Sequence, residues 1–256
     1  MENVLRKDED VLVIGDERFT SRFFLGSGKT SRYSKALIET AVQNAGVEWI
    51  SIAVSAVDEP ESGMEFIPPE VRILPNTLGA GNVEEAVRLA HMAREWGMGD
   101  YIKLEIMNDF KYLLPDNPAT VEATKILVGE GFRVLPYIYP DIDTATQLYN
   151  AGATALMPLA SPSGSGGGLK TRDFIKILLN EIPLPIIVDA GIGRPSEACA
   201  AMEMGCAAVM ANTALSTAGN LPLMAEAFRK AVQAGRDAYL SSMQEIQGRH
   251  VHPYSV

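Results

Sequence analysis

Short apolar runs alternate along the chain with longer stretches in which apolar positions recur every three or four residues. The runs are RFFLG (22–26), WISIAV (49–54), VRILPN (71–76), YIKLEIM (101–107), RVLPYI (133–138), ALMPL (155–159), PIIVDA (185–190) and AAVMAN (207–212), with an extra one, VLVIG (11–15), before them. Each has the length and apolar content of a strand buried on both faces. The intervening stretches carry helix start and stop signals. SRYSKALIETAVQNAG (31–46) ends in glycine, and NVEEAVRLAHMAREWG (82–97) opens on Asn82 as N-cap. NPATVEATKILVGEG (117–131) puts Pro118 at a first helical position after Asn117, RPSEACAAMEMG (194–205) starts near Pro195 or Ser196, and LPLMAEAFRKAVQAG (221–235) runs on toward Leu240. Eight strands, each followed by a connection able to hold a helix, predict a closed (β/α)8 TIM barrel. The barrel forms a single domain over residues 1–240, with a short N-terminal extension and a flexible tail at 241–256. A doubly wound open sheet is the alternative.

Alternation along the fourth barrel strand sorts its side chains. Ile102, Leu104 and Ile106 form one apolar face for the surrounding helices, and Tyr101, Lys103 and Glu105 point into the barrel. An inward ammonium is costly to bury. It is either a structural ion pair with Glu105 or Asp189, or a nucleophilic amine of the Schiff-base type. Burial lowers a lysine pKa and neighbouring carboxylates raise it, and the sequence leaves the balance open. Barrel active sites form at the C-terminal ends of the strands. The polar residues at those ends are Asn76, Lys103, Glu105, Asp189 and Asn212, with Asn108 and Asp109 just beyond.

Two glycine-rich stretches come late: SPSGSGGGL (161–169) after strand six, and DAGIG (189–193) closing strand seven and leading into a helix near Pro195. Glycine lets backbone N–H groups approach an anion, and a helix N-terminus adds positive potential. ANTAL (211–215) supplies the matching element after strand eight. An inward lysine beside a phosphate cradle points to an enzyme that binds a sugar phosphate and forms an imine with its carbonyl.

Composition narrows the partners. A net charge of −10 argues against nucleic acid, and does not bear on a small phosphorylated substrate held by backbone dipoles. The start MENVLRKDED has no apolar signal region, and no run reaches the roughly 18 apolar residues of a membrane span. The expected location is cytoplasmic. Cys199 and Cys206 lie seven apart in a helical stretch, too far for a disulfide, and read as small buried apolar residues. His250 and His252 read as a solvated tail, with no metal and no organic cofactor expected.

The segments FLGSGK, ILPNT, EEAVRLA, IKLE, VLPY, MPL, SPSGSGGGL, IVDAGIG, NTAL and AGRDAYL, in order from about Val11 to Leu240, together resemble the bacterial thiamin thiazole synthase family. That resemblance implies a (β/α)8 barrel that makes thiazole phosphate from 1-deoxy-D-xylulose 5-phosphate, dehydroglycine and sulfur. The sulfur comes as the thiocarboxylate of a small ubiquitin-like carrier protein ending in Gly-Gly. It also implies Lys103 as the Schiff-base lysine, Glu105 and Asp189 as acid/base carboxylates, and Gly164, Ala190, Gly191, Asn212 and Thr213 as sugar-phosphate contacts. A homotetramer is expected, with no nucleic-acid or membrane partner. The chain departs from the family pattern where AVSAV places Ser55 and Ala56 at the usual arginine pair, with an acidic stretch through Glu61, and where LGAGNV follows ILPNT. Alternative readings are a divergent relative inserting sulfur into another ketose phosphate, a non-catalytic barrel that binds sugar phosphate or a carrier protein, and plain class I aldolase chemistry.

Overall fold

The computed structural model describes residues 10–26, 34–56, 64–109 and 111–246. It opens on a hairpin, β1 (Leu12–Ile14) and β2 (Glu17–Phe19), paired antiparallel and separate from the main sheet. The eight apolar runs then form β3 (Phe23–Leu25), β4 (Trp49–Ala53), β5 (Arg72–Asn76), β6 (Tyr101–Leu104), β7 (Arg133–Ile138), β8 (Met157–Pro158), β9 (Ile187–Val188) and β10 (Ala208–Ala211). They stand in the order β8-β7-β6-β5-β4-β3-β10-β9, all neighbours parallel. The two outer strands meet through bridges at Leu156–Ile186 and Leu159–Asp189, with Ile187 N donating to Leu156 O (2.9 Å) and Asp189 N to Pro158 O (3.0 Å). The ring is thereby closed, and the barrel rather than the open sheet is the architecture. Ladders β8 and β9 are shorter than their apolar runs, which include Pro158 and Pro185, residues with no N–H to give.

The helices are α1 (Lys35–Ala45), α2 (Val83–Glu95), α3 (Asn117–Gly129), α4 (Ile142–Asn150), α5 (Arg172–Glu181), α6 (Pro195–Glu203), α7 (Thr213–Ser216) and α8 (Leu221–Ile246). Their ends follow local chemistry. Ser34 and Asn82 accept from Leu37 N (3.2 Å) and Glu85 N (2.9 Å), and Gly46 closes α1 at φ 69°. The cap of α3 is one residue earlier than the sequence suggests. Asp116 accepts from Ala119 N (3.1 Å), whereas the Asn117 side chain bonds the backbone of Tyr139 on both sides. Helix α8 continues past Gly235 to Ile246, into the stretch read as a tail, and His250 and His252 lie outside the described residues. The cysteines do not share a helix face: α6 ends at Glu203, Cys199 on it is partly exposed, and only Cys206 beyond it is buried. Both are free, and burial pushes the Cys206 thiol up to about 12.

Alternation on β6 works as read. Ile102, Leu104 and Ile106 pack outward against Leu89 and Leu127 of α2 and α3. Inside, Phe24, Trp49, Leu74, Leu135 and Met210 form the barrel's own core, and Leu12, Ile14 and Phe19 of the hairpin plug its N-terminal end. Each such side chain contributes about 1.5–3 kcal/mol on burial. Tyr101 ties plug to wall, its hydroxyl donating to Ile14 O (3.0 Å) and accepting from Asp16 N (2.9 Å).

Gly235 sits inside α8 because a Cβ there would collide with the Cys199 carbonyl oxygen and Met202 of α6. A helical Gly→Ala change ordinarily gains up to about 1 kcal/mol, but overpacking costs about 1–3 kcal/mol. Gly235→Ala is therefore expected to lower the urea unfolding midpoint, and a raised midpoint would refute this close helix contact.

Candidate active site

Strand β6 brings Lys103 into the barrel opposite Asn76 of β5 and Leu135 of β7. Glu105 follows just past the end of the ladder, and Asp189 stands at the end of β9. All three are buried, at 5%, 5% and 6% exposure. Lys103 Nζ donates to Glu105 Oε1 at 2.7 Å and lies 2.7 Å from Asp189 Oδ2. The second contact is an ion pair of the same length, so one buried ammonium bridges both carboxylates. Asp189 Oδ1 takes the Ala190 N–H at 2.7 Å.

The balance left open by the sequence now has a sign. Burial pulls the Lys103 pKa down, but the Asp189 and Glu105 carboxylates together outweigh it and hold the amine above the ordinary lysine range. Burial likewise lifts Glu105 above the ordinary carboxylate range, against the pull of Lys103. The resting site is an ammonium between two carboxylates. A neutral amine would require a proton to pass to a neighbouring group, and Glu105, raised by burial, lies within hydrogen-bond reach to take it. Tyr137 completes the wall. Its ring centre is 5.5 Å from Lys103 Nζ, its hydroxyl donates to Leu113 O (3.3 Å), and burial followed by the two carboxylates pushes its pKa well up.

All eight residues expected at the site line one cavity: Lys103, Glu105, Asp189, Gly164, Ala190, Gly191, Asn212 and Thr213. The two glycine loops pack backbone against backbone. A Cβ at Gly193 would lie 2.9 Å from Gly166 Cα, and one at Gly191 (φ 79°) would run into Ser161. Among the described residues, none accepts from the N–H groups of Gly164, Gly191 or Thr213. The expectation of a positive helix end at Pro195 is corrected, because Glu197 Oε2 already accepts from Gly193 N (2.8 Å) and Arg194 N (3.0 Å) and places a carboxylate there. Asn212 ties the loop after β3 by donating to Gly26 O (2.6 Å).

The other polar strand ends serve the scaffold and do not line the cavity. Asn76 donates to Ser51 Oγ (2.7 Å), Asn108 to Asp116 (2.5 Å), and Asp109 accepts from Lys111 N (2.9 Å) and Tyr112 N (3.2 Å). Ser55 lies in a short 3-10 turn (Val54–Ala56) and donates to Leu78 O (2.9 Å), bracing a residue of the cavity wall. The Ser27–Lys29 part of FLGSGK and the acidic stretch at 58–61 are outside the described residues. No group of three or more His, Cys, Asp or Glu among the described residues is placed to hold a metal, and none of their helices is long and apolar enough to cross a membrane.

Replacing Asp189 tests the charge balance. In Asp189→Asn the anion that raises Lys103 most is gone, so the lysine pKa falls. The neutral amine fraction at a given pH then rises, by about tenfold for each unit. Lys103 of the variant is expected to react faster with an amine-directed acylating reagent at pH 8, read by peptide mass. Equal or slower labelling would show that Asp189 does not hold the ammonium.

The model of the family described as "Thiazole biosynthesis protein ThiG" matches residues 13–252. The chain is 57% identical over 240 residues to Thiazole synthase of Clostridium beijerinckii, covering 93% of each chain. It is 49% identical over 248 residues to Thiazole synthase of Campylobacter jejuni, covering 96% of this chain and 94% of the relative. Among solved structures, the crystal structure of the Amycolatopsis orientalis BexX/CysO complex superposes with a TM-score of 0.81 at 33% identity, covering 90% of this chain and 95% of that one. With a match over nearly its whole length, the chain belongs to the thiazole biosynthesis protein ThiG family.

Proposed function

We propose that the chain carries out its family's thiazole synthesis through an imine on Lys103. It joins 1-deoxy-D-xylulose 5-phosphate, dehydroglycine and sulfur from a carrier-protein thiocarboxylate into thiazole phosphate. Family membership and the thiazole synthase relatives support the activity. The observation that carries the route is the buried ammonium between Glu105 and Asp189, in one cavity with N–H groups of Gly164, Gly191 and Thr213 that have no acceptor among the described residues.

A phosphate seated on those N–H groups anchors the sugar, and its ketone reaches Lys103. The amine loses a proton to Glu105 and attacks the carbonyl carbon, and water leaves as the imine forms. The imine makes the adjacent carbon acidic, so Glu105 or Asp189 removes a proton there and returns it one carbon along, moving the carbonyl. The thiocarboxylate sulfur attacks that carbonyl, the alkoxide so formed takes over the carrier's acyl group as the acyl C–S bond breaks, and the carrier departs as its carboxylate, leaving a thioketone. Its sulfur adds to the imine carbon of dehydroglycine, the nitrogen of that unit displaces the Lys103 amine from the sugar carbon, and loss of water completes the ring. The BexX/CysO neighbour is a two-protein assembly, which supports a protein partner here, namely a small carrier with a Gly-Gly end that reaches the cavity mouth. A homotetramer and a cytoplasmic setting belong to the same reading.

Incubating the protein with 1-deoxy-D-xylulose 5-phosphate and reducing with borohydride is expected to add the mass of the reduced sugar phosphate at Lys103. Lys103→Arg is expected to show none. A gain only with other ketose phosphates moves the substrate to a different sugar, and no gain with any ketose phosphate refutes the imine.

A further inference from the structure

We infer that Thr77, a buried residue outside the cavity lining, is a positioning residue that sets where the Glu105 carboxylate stands beside Lys103. The ladder between β5 and β6 runs out here: β5 ends at Asn76 and β6 at Leu104. Glu105 therefore lacks the neighbouring strand that would hold its backbone. One side-chain hydroxyl takes over. Thr77 Oγ1 donates to Glu105 O at 2.8 Å and accepts from Glu105 N at 2.8 Å. Thr77 N donates to Lys103 O at 3.2 Å, so the same residue grips the backbone of both reacting side chains. The turn behind it is anchored in the same manner, with Ala80 N donating to Thr77 O (3.0 Å) and Met107 N to Ala80 O (3.0 Å).

Thr77 has no solvent exposure and does not line the cavity, so it acts through Glu105 and not on substrate. The double bond pattern needs a group that donates and accepts at one atom, which a hydroxyl supplies and a thiol supplies only weakly. Loss of the hydroxyl leaves a buried N–H and a buried carbonyl without partners, which the backbone relieves by shifting. Displacement of a reacting group by about 1 Å can cost about a hundredfold in rate.

This inference rests on the imine reading, and its test separates the two. Thr77→Ser and Thr77→Cys differ at one atom and are compared with wild type in two assays. The first is the rate of borohydride trapping with 1-deoxy-D-xylulose 5-phosphate as a function of sugar concentration. The second is reductive methylation of Lys103 by formaldehyde and cyanoborohydride, read by peptide mass, which needs no sugar. Thr77→Ser is expected within about threefold of wild type. Thr77→Cys is expected to trap about ten- to a hundredfold more slowly, at an unchanged half-saturating sugar concentration, because the glycine cradle is untouched. Its Lys103 is expected to methylate faster, since a displaced Glu105 no longer holds the ammonium. Thr124→Val, which removes a buried hydroxyl bonded to Thr120 O at 2.7 Å on α3, is the stability control and is expected to leave both assays unchanged. If Thr77→Cys does not fold, Thr77→Ala serves the same comparison. Should the Ser and Cys variants behave alike in both assays, Thr77 is only structural. Should wild type trap no sugar while the two variants still differ in methylation, the imine reading fails and the positioning role stands.

Discussion

An ammonium held between two carboxylates leaves one net negative charge in a buried site, and the rest of the structure answers to that constraint. Breaking a buried pair by removing one partner costs about 3–5 kcal/mol, so these three side chains must be delivered together or not at all. They come from β6 and from the end of β9, with β7 and β8 between them. In a flat sheet three strand spacings of about 4.8 Å would set them roughly 14 Å apart. Only the curvature of a closed ring brings Lys103 Nζ within 2.7 Å of Asp189. Closure is thus a condition of the chemistry as well as of the core.

The barrel was legible in the chain because each strand is a short apolar run set off from helical periodicity by glycine and capping residues. The inward set on β6 could be read from alternation alone, and Lys103, Glu105 and Asp189 do meet in one cavity. The net direction of the lysine shift could not be read, because it depends on distances. Tyr137 was within reach of the same rule. It stands two positions beyond Leu135, which is registered against Lys103, so alternation on β7 turns it inward as well. Glu197 was harder. Its place near the start of α6 spells a cap, and a cap there removes the positive helix end that the glycine loop seemed to advertise.

In the proposed reaction, substrate holding falls to loop backbone and bond making to charged side chains, and the two adjoin at the end of β9, where Asp189 runs into Ala190 and Gly191. Among the described residues, the glycine loops after β8 and β9 and the start of α7 offer N–H groups without side-chain charge, and the charged groups cluster on and just past β6 and at the end of β9. An anion held by backbone dipoles leaves the ammonium to its carboxylates. A lysine or arginine in the cradle would compete for them.

The packed barrel interior, capped at its N-terminal end by the β1–β2 hairpin that Tyr101 locks to the wall, makes the site a cup with a solid floor. Every molecule of the proposed reaction must then share one doorway. Sugar, glycine-derived imine, the carrier's tail and the finished ring have to queue, and departure of one is the admission ticket of the next. Order of addition becomes a property of the architecture, imposed by traffic before any selectivity among the reactants is called on.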